Sequence, residues 1–423
     1  PREMSVPSTV QIINLPPLGF DENNQLVSRD GRRKLERAQA LREKLIIQTY
    51  RAEQPDVVLI ELFPFGRKKF ANELIPLLEE AKGKSKIVCS LRDILVGQRK
   101  DQTRHDERAI ETANRLFDAI LVHSDPDFAR LQGSFKTTMP LRIPIFYTGF
   151  VAPRPQQTKT SRKQNGVKEI IVSAGGGMVG QKLLRTAIQA HKILAGRIKV
   201  RTTIVGGLFI PEADWLGLQE LAGDTTGLIL KRFVPKLRER MSQSNVSISQ
   251  CGYNTALDIV LSGVAAIAVP FGDGGGEDEQ TKRARRLDEI GALMVCENPT
   301  VETLAGQIEK AFEFRPKPLS LDFNGGTASS NIILNLLPRR LHKSGWLEPV
   351  RRALENREAQ MRLFFRDDDA GIENEKLFRL LDVFQSFDAP LDLAVIPKTV
   401  TAELARKLRD RIVVEADGQL KTG

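Results

Sequence analysis

Six short apolar runs begin at Lys168, Val200, Leu228, Val246, Ala265 and Ala292, separated by helical patterns and short connections. No other feature restricts the fold of this chain as much. Runs of this kind, bounded by Gly and polar turns, suit strands buried on both faces. Alternating with helices, they build a doubly wound parallel sheet whose ligands bind beyond the carboxyl ends of the strands.

A less regular alternation fills residues 1–150. Asp56–Phe65, Lys86–Ser90 and Ala119–His123 read as buried parallel strands, with helical patterns at about 30–52, 69–82 and 106–116. Residues 151–167, rich in Pro, Gln, Lys and Ser, have little to bury and read as a linker into the domain at 168–340. A second linker, 341–360, leads to a segment at 361–423. There Met361–Asp369 looks like a buried strand ending in three carboxylates, followed by a helical pattern at Glu373–Phe384 and a strand at Leu391–Ile396.

A chain of 423 residues is long enough for about three domains. It has no uninterrupted apolar segment near the roughly 20 residues of a membrane span and no opening secretory signal. Three scattered cysteines suggest reduced thiols in the cytoplasm, not a disulfide framework or zinc site. A net charge of +10 favours anionic partners such as nucleotides or lipid phosphates. The basic residues are interspersed with acidic ones, so runs such as Lys282-Arg283-Ala284-Arg285-Arg286 read mostly as solvated helix faces. With 6% aromatic residues and no aromatic-plus-basic stripe, nucleic acid is not an expected partner.

Residues 246–284 carry the most chemistry. An apolar run ends in the turn Ser249-Gln250-Cys251-Gly252, and a helical pattern opens at Asn254-Thr255 with Asp258 one turn in. A second buried run, Ala265–Phe271, leads through a Gly-rich loop to Glu279-Gln280. Backbone N–H groups at a helix start suit phosphates, and a nearby acid suits ribose hydroxyls. Upstream, Gly175, Gly176, Gly177 and Gly180 follow a strand and open a helix, where glycines let a ligand approach the backbone. Gly175, Gly177 and Gly180 also fit the G-x-G-x-x-G dinucleotide spacing, but the next strand ends without the acid such a site needs. A tight turn without a ligand is the other reading of this loop.

The order of Gly252, Thr255, Asp258, Glu279 and Gln280 resembles the C-terminal domain of family-28 (MurG-type) glycosyltransferases, with Asp at the ribose position in place of the usual Glu. The resemblance implies a GT-B architecture of two Rossmann-like, doubly wound parallel-sheet domains, the first of them N-terminally incomplete. It also implies a UDP-sugar donor, a hexose or N-acetylhexosamine, held by Gly175, Gly176, Gly177, Phe233, Val234, Gly252, Asn254, Thr255, Asp258, Glu279 and Gln280. The base is expected to contact Phe233 and Val234, although a strand-end Phe also serves simply as core. Transfer to a glycan or lipid-linked acceptor is expected to proceed with inversion and without a cofactor or a metal in the donor site. The family's opening Gly-rich loop with its catalytic His does not precede Asp56. In the first half, Asp93 and His123 follow buried strands, where a parallel sheet presents active-site residues, and are the candidate catalytic residues, with Glu61 as a further carboxylate beside a buried strand. His123 suits a general base because histidine titrates near neutrality, and a structural His is the alternative. Met361–Asp369 resembles the start of a NodB-like polysaccharide deacetylase, with Asp368 and Asp369 as its metal and base acids. Its remaining length is too short for a complete barrel of roughly 200 residues, so it reads as a truncated (β/α)-barrel-like segment. The expected setting is cytoplasmic, with peripheral contact at an anionic membrane compatible with the charge. A UDP-sugar 2-epimerase of the same architecture and a non-catalytic sugar-nucleotide scaffold stand as alternatives.

Overall fold

The computed structural model describes residues 7–21, 25–97, 101–152, 166–271, 278–337, 366–370, 374–386, 392–395, 401–409, 412–414 and 420–422. The chain falls into two compact units, residues 1–339 and 340–423.

The first unit opens with a short antiparallel hairpin, β1 (Leu18–Phe20) and β2 (Leu26–Ser28), followed by helix α1 (Leu35–Glu53). A four-stranded parallel sheet then forms in chain order from β3 (Val57–Glu61), β4 (Lys86–Arg92), β5 (Ala119–His123) and β6 (Ile145–Tyr147). Helices α2 (Ala71–Ala81) and α3 (Gln102–Leu116) connect the first three. Tyr50, Leu78, Ile110, Leu121 and their neighbours fill the buried volume around the strands.

The strand expected at Asp56–Phe65 stops at Glu61. Leu62 takes a φ of 66°, which turns the chain out of the sheet, and Phe63 and Phe65 are buried in the core. The apolar run is real, but only its first half is strand. The fourth strand, β6, was not expected from the sequence.

Residues 168–295 form the second sheet. Its strands are β7 (Lys168–Ser173), β8 (Val200–Val205), β9 (Leu228–Lys231), β10 (Val246–Ser249), β11 (Ala265–Ala268) and β12 (Met294–Val295), in the order β12-β11-β10-β7-β8-β9, all parallel. The connection runs outward from β7 to β9, then returns to the other side of β7. This is the doubly wound, Rossmann-like order, with its switch point between β7 and β10.

One face carries helices α4 (Gln181–Ala195), α5 (Glu212–Ala222) and α9 (Val301–Ala311) over Ile170, Val172, Ile204 and Ile248. The other carries α6 (Leu237–Gln243), α7 (Tyr253–Ser262) and α8 (Glu279–Glu289) over Ile171, Val205 and Ala266. Alternate residues of one strand thus feed two cores, as a sheet covered on both faces requires. The fold class is the expected one, an α/β chain with two Rossmann-like halves in its first unit.

In the second unit, Arg366–Ala370 pairs in parallel with Asp392–Val395, and helices span Asn374–Ser386 and Ala402–Arg409. Leu377, Leu381, Leu404 and Leu408 form its small apolar cluster. The side chains of Asp368 and Asp369, read as deacetylase acids, lie outside the described residues, as do residues 338–365. Among the described residues, no helix is long and apolar enough to cross a membrane.

Candidate functional site

A doubly wound sheet opens a crevice where its strand order reverses, outside the carboxyl ends of the two central strands. Here those ends are Ser173 on β7 and Ser249 on β10, which lie in register with each other. The loops leaving them, 174–180 and 250–252, are the two glycine-bearing turns singled out in the sequence.

The second turn leads into α7. Gly252 is its N-cap, and no side chain caps the helix. The first intrahelical bond is from the Ala256 N–H to the Gly252 carbonyl, so the N–H groups of Tyr253, Asn254 and Thr255 have no partner within the helix. A Cβ placed on Gly252 would meet no atom within 4 Å, and its φ of −64° is open to any residue. Among the described residues nothing therefore demands glycine here, whereas an approaching ligand would. Asn254 is exposed, and Thr255 and Asp258 are half-buried. Burial pushes the Asp258 carboxyl above its usual range, and the positive charge of Arg238 opposes the shift in part.

The glycines of the first turn have other reasons to be there. Gly175, Gly177 and Gly180 all have positive φ, at 62°, 89° and 100°. A Cβ on Gly177 would stand 2.5 Å from the Gly206 carbonyl oxygen, and one on Gly207 would stand 2.5 Å from the Gly177 nitrogen. The turns after β7 and β8 thus lie backbone against backbone, further joined by the Phe209 N–H to the Gly176 carbonyl at 2.8 Å. A Cβ on Gly180 would instead meet side chains, Ala174 Cβ and Gln250 Nε2, each at 2.8 Å. Close packing accounts for Gly177 and Gly180, whereas a Cβ on Gly175 would meet none of the described residues within 4 Å, and Gly175 and Gly176 are exposed.

Around this crevice the loops after β7, β8 and β9 expose Met178, Phe209 (66%) and Phe233 (47%), while Val234 is buried. The reading of Phe233 as core is therefore excluded. Beside the first turn of α4 lies a cavity of about 100 Å³, lined by Gly180, Leu183, Gln250, Pro270 and Phe271. It is far smaller than pockets that enclose a whole drug-sized ligand, typically some 300–1,000 Å³.

Glu279 and Gln280 open α8, both half-buried. The Gln280 side-chain oxygen accepts from the N–H groups of Cys251 (3.2 Å) and Phe271 (3.3 Å). It thereby joins the loops after β10 and β11, and any contact to a sugar hydroxyl falls to its amide N–H groups. The Gly-rich stretch 272–277 lies outside the described residues.

In the first half, Glu61, Arg92 and His123 stand at the carboxyl ends of β3, β4 and β5. Glu61 pairs with Arg67 and with Arg92 (3.0 Å). His123 has Ser90 Oγ 2.8 Å from Nε2 and Thr148 Oγ1 2.9 Å from Nδ1. Burial pushes its pKa below the ordinary value, opposed in part by Glu61, so the ring is neutral at pH 7.

Asp93 is elsewhere than a catalytic reading requires. Its side chain is 1% exposed, and its two oxygens accept from Arg283 Nε and Nη2, both at 2.7 Å. A carboxylate held so cannot reach a substrate. Arg283, expected on a solvated helix face, is itself 2% exposed. The sequence reading missed it because its partner lies 190 positions away.

Residues 171–330 match the model of the glycosyltransferase family 28 C-terminal domain. An uncharacterized glycosyltransferase of Methanopyrus kandleri is 26% identical over 183 residues, 42% of this chain and 48% of that protein. The chain thus spans about half the length of that curated relative. Among solved structures, MurG of Acinetobacter baumannii is similar at 17% identity and a TM-score of 0.48, covering 73% of this chain and 83% of the other. The S. aureus protein MnaA, solved with UDP, is similar at 13% identity and a TM-score of 0.47, covering 71% and 80%. The family match ends at residue 330 and does not bear on the deacetylase reading of residues 361–423. The stretch that resembles family 28 is the half of the molecule with the switch-point crevice and the uncapped helix α7.

Proposed function

We propose that this protein transfers a sugar from a UDP-sugar to an acceptor hydroxyl, with the donor diphosphate at the start of α7. The observation that carries the reading is Gly252, an N-cap glycine at the mouth of the switch-point crevice whose Cβ position meets none of the described residues. First-turn N–H groups and the helix dipole favour an anion there, and they stabilise it most when the departing diphosphate gains charge. Asp258, on the same helix, accepts the ribose hydroxyls. Phe233 offers its exposed ring to the base, and Glu279 with the Gln280 amide contacts the sugar.

In this proposal the acceptor oxygen attacks the anomeric carbon as its bond to the diphosphate breaks, inverting the configuration. His123, neutral near pH 7, takes the acceptor proton, which requires the acceptor to displace the hydroxyl of Ser90 or Thr148 from the ring. We assign Asp93 to positioning and not to catalysis. The glycan or lipid-linked nature of the acceptor and a cytoplasmic or membrane-peripheral setting belong to the same proposal.

Calorimetric titration tests it. UDP is expected to bind in preference to GDP and NAD, unchanged by a chelator, and Asp258→Ala should weaken it about tenfold, the scale of one lost charge-assisted hydrogen bond. Preference for NAD, or no nucleotide binding by folded protein, would sink the reading.

A further inference from the structure

The entry to α7 is held by α8 on both sides of one residue. The Cys251 N–H donates to Gln280, and the Cys251 carbonyl accepts from Arg283 Nη1 at 2.8 Å. That carbonyl belongs to the peptide unit that leads into Gly252. The other edge of the Arg283 guanidinium is spent on Asp93, which follows β4 in the first half.

A second tie runs beside it. Tyr253, the first residue of α7, donates its hydroxyl to the His123 carbonyl (3.0 Å) and accepts from the Val151 N–H (3.3 Å). The Arg283 guanidinium stands 6.0 Å from the centre of the Tyr253 ring. Two links therefore fix the start of α7 to the strand ends of the first half, one through Asp93 and one at His123.

Cohesion alone does not call for such a pair. Buried ion pairs can be replaced by well-packed apolar residues with little loss, and often with gain, of stability. What an apolar pair cannot supply is the third bond, to the Cys251 carbonyl. Lysine cannot supply the set either, because its point charge lacks the planar fork that serves two groups at once.

We propose that Arg283, anchored by Asp93, is a positioning residue that fixes the Cys251–Gly252 peptide and so aims the first-turn N–H groups of α7 at the donor diphosphate. This rests on the reading of α7 as the diphosphate site.

The test compares wild type, Arg283→Lys, the double variant Asp93→Leu/Arg283→Met and, as control, Asp258→Ala. Each is measured by thermal unfolding, UDP titration and hydrogen exchange across Cys251–Thr255. The double variant is expected to keep its melting temperature within a few degrees, bind UDP about tenfold or more weakly, and exchange faster at Tyr253–Thr255. A stable double variant with native UDP affinity would overturn the proposal. Where the double variant does not fold, Arg283→Lys decides in its place, since unchanged affinity there overturns the proposal equally. Weakening by Asp258→Ala with unchanged Arg283 variants leaves the donor site standing and removes only the positioning role. Folded wild type without UDP affinity removes the donor site and the positioning role with it.

Discussion

The two α/β halves are both built on parallel sheets and use their strand ends in opposite ways. In the first half, the polar side chains at those ends are committed to other protein groups. Glu61 holds Arg67 and Arg92, His123 holds Ser90 and Thr148, and Asp93 holds Arg283 across to the second half. In the second half the strand ends offer backbone, namely the uncapped start of α7, the open Gly252 and the exposed Gly175–Gly176 turn. A half that presents free peptide groups suits a ligand of fixed anionic shape. A half whose side chains are already paired must exchange partners to take part in chemistry.

The sharpest way to break this contrast is to take away one committed partner. Arg283→Met leaves the Asp93 carboxylate buried without its ion-pair partner, and should cost about 3–5 kcal/mol in urea unfolding. A loss under about 1 kcal/mol would mean that the first half is less committed than its geometry indicates.

Next comes a pair of glycines. Gly177→Ala forces a side chain into a left-handed backbone and against the Gly206 carbonyl, so about 2–3 kcal/mol should be lost. Gly252→Ala should change stability by no more than about 1 kcal/mol, yet weaken UDP binding. Equal stability losses at the two sites would erase the distinction between a packed and an open glycine.

The smallest effect concerns pH. His123 and His191 both have pKa values lowered by burial, so the unfolded chain binds protons more readily than the native one. Their contribution is therefore fully present above the unfolded value of about 6.5 and is lost as pH falls through the native values. His191 is the cleaner probe, since its Nδ1 meets Thr202 and its Nε2 donates to the Thr226 carbonyl inside the second half. Chemical denaturation between about pH 7.5 and pH 5.5, either side of the unfolded value, should show a shallower decline for His191→Gln.

How much could be read beforehand divides along the same line. Strands β7 to β11 begin where their apolar runs begin, because a strand buried on both faces leaves an unbroken local signal. The start of α7 was legible for the same reason, since turn and helix chemistry are local. The short strand at Ile145–Tyr147 and the early end of β3 at Glu61 were not, because pairing and a positive φ decide them. The partnership of Asp93 with Arg283 left no trace in either neighbourhood. Each looked like its surroundings, one a strand-end acid and the other a member of a basic run.

The face-to-face glycines of the turns after β7 and β8 have a consequence for how this molecule can change. Gly177 and Gly207 each occupy the space a partner's side chain would need, and what faces them is main chain, which cannot be trimmed by substitution. A replacement in one turn therefore has no compensating replacement in the other. Swapping either turn for that of a relative should succeed only when both are moved together, so the two behave as a single inheritable cassette.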